Sequence, residues 1–210
     1  MALKLQLSGG SGNTDINASL GGVRSGTDIV DAIPQNLLDN VTRKEILVEK
    51  TEYRCFYVYN SHASLAIHGA VIYIDLDPIA TETFLGLDPV GSGDGTTTGV
   101  AQTISLEDTT PTGVTFEDAG EFRVKLPLPT LKALESQAIW IKRISTGGAG
   151  SGLITVGVTV IGDESALPVG PGTEDFHSAD GLSIGERTSL DTLTTPFVIG
   201  TARIGFSQIE

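Results

Sequence analysis

The chain has 210 residues, 40% of them hydrophobic, with 26 glycines and a formal net charge of −13. Its length admits one large domain, or a domain of about 100–150 residues with extensions. The acidity excludes nucleic acid as a main partner, because phosphates call for neutralising Lys and Arg, and no apolar run reaches the ~18 residues of a membrane-spanning helix.

The first residues, Met1 to Leu7, alternate apolar and polar with period two and read as a strand without a signal-peptide core, in a protein made and folded in a cytoplasm. Behind them runs a glycine-, serine- and asparagine-rich stretch from Ser8 to Gly22. It reads as an extended, flexible arm, with Ser8, Gly9, Gly10, Asn13, Asp15, Asn17, Leu20 and Gly21 as candidate interaction residues. Pro34 precedes Asn36 to Val41, where Leu37, Leu38 and Val41 suggest a short helical turn.

Thr51 to Asn60 is a dense strand, with Tyr53, Cys55, Tyr57 and Tyr59 on one face and Arg54, Phe56 and Val58 on the other. A polar turn at 60–63 leads into a second apolar strand over 64–76, and the pair reads as a hairpin. Residues 86–99 look too glycine-rich to pack. A strand over 100–106 follows, then a turn at Pro111 to Gly113. Leu126 to Leu131 carries two prolines and cannot be a central strand. Gln137 to Ile144 holds Trp140, and Ile154, Val156, Val158 and Val160 all point one way.

Short strands, turn signals and little helix predict an all-β protein, an immunoglobulin-like β-sandwich with a jelly roll as the alternative. The expected organisation is an N-terminal strand and arm over 1–48, a sandwich over 49–162, and a C-terminal extension over 163–210. The expected core includes Tyr53, Cys55, Tyr57, Trp140, Ile154, Val156 and Val158. The loosely patterned extension could order on a neighbour, with 197–199 and 202–206 each able to add a strand to another sheet edge.

Catalytic chemistry is not legible. His62, His68 and His177 lack ligand partners at metal spacing, no serine sits in a nucleophile elbow, and the single cysteine excludes an intrachain disulfide. The glycine runs at 91–95 and 147–150 are not followed by Lys-Ser/Thr, so neither is a phosphate loop. Asp75, Asp77, Glu82 and Asp88 could offer oxygens to calcium, but solvated turn carboxylates account for them more simply. Tyr53, Tyr57, Tyr59, Tyr73 and Trp140 could form a sugar platform, though aromatics on strands are more often core. The expectation is a non-enzyme with no cofactor and no metal site.

Four segments carry a resemblance: Ser8-Gly9-Gly10 with Asn13 to Gly22, Thr51 to Val58 with Asn60, Pro111 to Phe116, and Ala138 to Arg143. In this order they resemble a group of tailed-bacteriophage virion proteins, over about residues 5–160. The resemblance implies a virion structural component, with the major capsid protein or other virion proteins as partners and homo-oligomers expected. Capsid decoration (a cement protein held by its arms) is the first expectation. A neck or tail connector is the second, and a carbohydrate-binding or adhesin module of a fibre the third.

Overall fold

The computed structural model describes residues 3–30, 36–76, 81–119, 125–145, 157–165 and 179–184. These residues are mostly strand, and the protein is all-β with antiparallel pairing throughout. The strands are β1 (Leu3–Leu7), β2 (Gly21–Gly22), β3 (Thr51–Asn60), β4 (Ala66–Leu76), β5 (Thr81–Gly93), β6 (Ala101–Thr103), β7 (Leu126–Pro127), β8 (Ser136–Ser145), β9 (Gly157–Ser165) and β10 (Ala179–Ile184). They form one sheet in the order β1-β3-β8-β5, a second in the order β10-β9-β4-β7, and a small pair β2-β6.

Between the two sheets lies an aliphatic core. β1 contributes Leu3, Leu5 and Leu7, β3 contributes Phe56 and Val58, β4 contributes Ile67, Ile72 and Ile74, and β8 contributes Ile139 and Ile141. Each such side chain, fully buried, contributes about 1.5–3 kcal/mol. The opposite face of the first sheet is buried as well: Tyr53, Cys55, Tyr57, Ala138 and Trp140 pack under Ala101, Ile104, Leu20, Val114 and Phe116. Burial on both faces is why β3 carries apolar residues on both of its faces from Cys55 to Val58.

Among the described residues, loops run along β1, β5 and β4. Residues 25–29 run along β1, with Leu7 N donating to Thr27 O at 3.0 Å and Ile29 N to Leu5 O at 2.7 Å. Leu85 of β5 exchanges backbone bonds with Glu117. β4 is covered by Leu128, whose N donates to Ala70 O at 2.8 Å, and by Leu131, which pairs with Ile67. Covered edges remove the templates for unwanted strand pairing.

Several expectations need correction. β3 and β4 are not a hairpin, because they lie in different sheets. Asn60 turns the chain over the end of the sandwich, its side-chain NH₂ donating to Leu65 O, Leu131 O and Lys132 O. The glycine-rich 86–93 stretch belongs to β5, paired with β8 on either side of a register shift between Leu87 and Ser92, and Gly86 and Gly91 stand where a Cβ would lie 2.5 Å from Val114 Cγ1 and 2.4 Å from Ala138 Cβ. The helix is not at 36–41 but at Arg43–Leu47 (α1), started by a capping box in which Thr42 and Glu45 bond each other's backbone. Of the expected extension, 163–165 complete β9 and 179–184 form β10, a strand of the chain's own second sheet. Segments 197–199 and 202–206 fall outside the described residues.

Candidate functional site

The glycine-rich stretch is the first candidate, and it is not a free arm. Ser8 is fully buried, and its Oγ donates to Cys55 O at 2.8 Å and accepts from Gly21 N at 3.1 Å. Asn13 Nδ2 donates to Ser8 O at 2.6 Å and to Asp15 O at 3.0 Å, while its Oδ1 accepts from Asp15 N. Asp15 caps the 3₁₀ turn Ile16–Ala18 through Asn17 N, and Asn17 Oδ1 in turn accepts from Arg54 Nη2 at 3.2 Å. Ser19 O takes Cys55 N at 2.8 Å, beyond the end of β1, and Leu20 packs on the aromatic cluster.

Two of the glycines serve close approach. Gly9 and Gly21 have φ of +97° and +92°, and a Cβ on either would lie 2.2 Å from Ala18 O or 1.8 Å from Gln102 O. Gly10, also at positive φ, meets open space. Arg24 staples the cover down from its far side. It donates to Gln6 Oε1 and to Asp94 O, with its guanidinium 3.9 Å from the centre of the Tyr59 ring. Residues 8–25 are therefore a lid on the first sheet.

Beneath the lid every polar tip is tied. Tyr57 OH donates to Gly22 O at 2.6 Å and accepts from Ala101 N at 2.9 Å, and burial pushes its pKa upward. Trp140 Nε1 donates to Asp88 Oδ2 at 2.8 Å. The Asp88 carboxylate also accepts from Val90 N and from Gln102 N and Nε2. Tyr53 packs tilted against Phe116 at 5.4 Å. Burial, with Asp88 nearby, pushes the Cys55 thiol well up. Tyr53, Cys55, Tyr57 and Trp140 thus sit in a core, where Tyr53, Tyr57 and Trp140 offer no sugar platform. Ile154 and Val156 lie outside the described residues, and Val158 stands opposite Ile74 and Ile184 in the backbone register.

Of the carboxylates weighed for calcium, Asp88 is spent on these bonds and Glu82 is solvent-exposed, while Asp77 is outside the described residues. His62 Nδ1 accepts from Ser64 N and Leu65 N, which makes it a turn residue. His68 lies along β4, with its Nδ1 3.4 Å from Thr130 Oγ1.

Sequence reasoning missed a second candidate, an ion cluster at one end of the sandwich. Strand alternation places Glu52, Arg54 and Arg143 in line with the aliphatic residues of β3 and β8, and all three are essentially fully buried. Glu52 and Arg143 are cross-strand partners, with Oε1 and Nη2 2.5 Å apart. Arg143 also bonds Asp39, Arg54 bonds Glu107 at 2.5 Å, and Lys50 Nζ lies 2.6, 3.8 and 2.5 Å from Glu45, Glu52 and Glu107.

Oxygens of Glu45, Glu52 and Glu107 approach within 4.8 Å of one another, close enough to hold a cation, and the Lys50 ammonium supplies one. Desolvation raises the Glu45 carboxyl, but bonds from Lys50 and Thr42 outweigh it and hold the group at about 2. Glu107 is likewise lowered on balance, against desolvation, by Lys50 and Arg54. Desolvation dominates at Glu52 and pushes it up despite Arg143. The cluster ties α1, β3, β8 and the loop after β6 together. The sequence signal was charge inside otherwise apolar strands.

No protein-family model and no curated protein matches the chain. Among solved structures it is similar to a chain of AvmM, described as catalysing macrocyclization in alchivemycin A biosynthesis. Identity is 13%, the match covers 67% of this chain and 82% of that one, and the TM-score is 0.26. A likeness of that size carries no argument about fold or chemistry.

Proposed function

We propose that the chain is a non-enzymatic structural component of a tailed-bacteriophage particle, a decoration protein on the outer capsid, built on an immunoglobulin-like sandwich. The fold reading is supported by strand order. With β1, β3, β4, β5, β8, β9 and β10 taken as strands A to G, the sheets read A-B-E-D and G-F-C, the constant-type arrangement, with β7 added beside C. A jelly roll would not give that order. The chain departs from antibody domains in having no B–F disulfide, and its tryptophan sits on strand E.

One observation carries the functional reading. The four segments that resemble virion proteins, far apart in the chain, meet in one layer: Leu20, Tyr53, Cys55, Tyr57, Val114, Phe116, Ala138 and Trp140 pack together. The shared pattern is thus the signature of a covered sheet, with no reactive group at its centre, as suits a building block. An acidic surface suits a protein displayed outside packaged DNA. Because residues 8–22 are folded onto their own domain, the particle is gripped by other surfaces. Partners in this reading are the major capsid protein and further copies of the chain.

Electron microscopy of intact particles with gold-labelled antibody tests it. Label over the head at high copy is the expected result. A ring at the neck or tail would make the chain a connector, and unlabelled particles would overturn the virion reading.

A further inference from the structure

Three polar residues form a cross-strand row at the charged end of the inner face. Thr83 of β5 stands opposite Arg143 of β8, and Arg143 stands opposite Glu52 of β3. Alternation puts Thr83 on the same face as Leu85, and each of the three is 1% exposed.

Each member of the row carries an idle atom. Thr83 Oγ1, Arg143 Nε and Glu52 Oε1 have no hydrogen-bond partner among the described residues. Arg143 spends its other nitrogens on Asp39, Nη1 on the backbone oxygen at 2.8 Å and Nη2 on Oδ1 at 3.0 Å. The 2.5 Å approach of Nη2 to Glu52 Oε1 is a charge contact without hydrogen-bond alignment. Nε belongs to the same rigid guanidinium as Nη2, so it too lies close to the Glu52 carboxylate. A buried polar group left unmet costs more than an ordinary hydrogen bond contributes, and such groups are commonly met by internal water.

We propose that the row binds an internal water molecule bridging Arg143 Nε, Glu52 Oε1 and Thr83 Oγ1. The mixture of groups selects the ligand. Arg143 Nε can only donate, an ionised Glu52 can only accept, and the Thr83 hydroxyl does either. A metal ion would face the guanidinium and an anion would face the carboxylate, whereas water accepts from one and donates to the other. Three bonds are the usual complement of an internal water. The ion pairs reach α1, β3, β8 and the loop after β6; the water extends that network to β5 through Thr83.

A crystal structure of the full chain, at a resolution that orders single waters, tests the site. The expected result is a water about 2.7–3.2 Å from Arg143 Nε and from at least one of the two oxygens. A row closed by protein groups alone would overturn the proposal. A bromide soak that gives an anomalous peak at the same place would overturn the choice of ligand. In solution, cross-relaxation between water and the Arg143 Nε proton should carry the sign of a long-lived bound water, and its absence would also count against the site. Thr83→Val keeps the side-chain shape without the hydroxyl and is expected to weaken that signal severalfold. An unchanged signal in a folded Thr83→Val chain would overturn the place of Thr83 in the bridge.

Discussion

The two faces of the first sheet are buried by different means. The inner face meets another sheet, and Leu3, Leu5, Leu7, Phe56, Val58, Ile139 and Ile141 fill the space with no polar atom to place. The outer face meets loops, and there Ser8, Tyr57, Trp140 and Asp88 each hold a bond to the cover or beneath it. A sheet satisfies its own backbone, so a facing sheet needs shape and apolar area. A loop brings loose backbone groups, and each has to be met by a side chain or another loop. Apolar burial fixes the sandwich; hydrogen bonds fix the lid.

The harshest way to break the comparison is to delete residues 1–28, which strips β1 from the inner face and the lid from the outer. Three buried leucines alone are worth about 1.5–3 kcal/mol each, comparable with a domain's whole stability of about 5–15 kcal/mol. The truncated chain is expected to show no cooperative thermal transition by circular dichroism. A sharp transition would mean the lid and β1 are dispensable. Next comes the charged end of the inner face. Arg143→Ala leaves Glu52 buried beside its lost partner and is expected to cost about 3–5 kcal/mol in urea unfolding. A cost under about 1 kcal/mol would show that the Glu52 carboxyl is already neutral and independent of the pair.

The comparison is sharpened by one substitution on each face. Leu5→Ala is expected to cost about 2–5 kcal/mol through a cavity. Trp140→Phe keeps most of the ring but leaves Asp88 without the indole donor, for about 1–3 kcal/mol. Its local signature is faster hydrogen exchange at Ala101 and Gly21 with β1 unchanged. Equal loosening of both faces would break the distinction between them.

The strand residues of the outer face were legible in sequence. Alternation in β3 and β8 is strong, and Tyr53, Cys55, Tyr57 and Trp140 fall in a core as the period predicts. The lid was misread for a physical reason. Glycine is equally at home in a flexible arm and in a tight approach, and what decides at Gly9 and Gly21 is Ala18 O and Gln102 O, the latter some eighty residues away. Period two announces a strand but not its partner, so β3 and β4 looked like a hairpin although they belong to different sheets. The Thr42–Glu45 capping box was readable and would have placed α1. Glu52, Arg54 and Arg143 were visible as charges in apolar strands, but their pairing with Lys50, Glu107 and Asp39 is tertiary.

The smallest expected effect lies at the seam where the inner face ends in charge. Glu45 is held at about 2 and Glu107 below its ordinary value, so both are more acidic folded than unfolded. Such groups contribute stability above the unfolded carboxylate range and lose it as pH falls through the folded value. The window is therefore from about pH 4 down to about 2. Glu52 has the opposite sign: raised in the fold, it is relieved by protonation and offsets part of the loss. The Lys50 pairs are partly exposed and worth about 0–1 kcal/mol each, so the melting temperature should drop by only a few degrees in that window. Lys50→Met removes the shared partner, and its melting temperature should change less between pH 4 and 2 than that of the wild type. Parallel curves for the two proteins would show that the acid dependence belongs to other carboxylates and that Lys50 does not hold the seam.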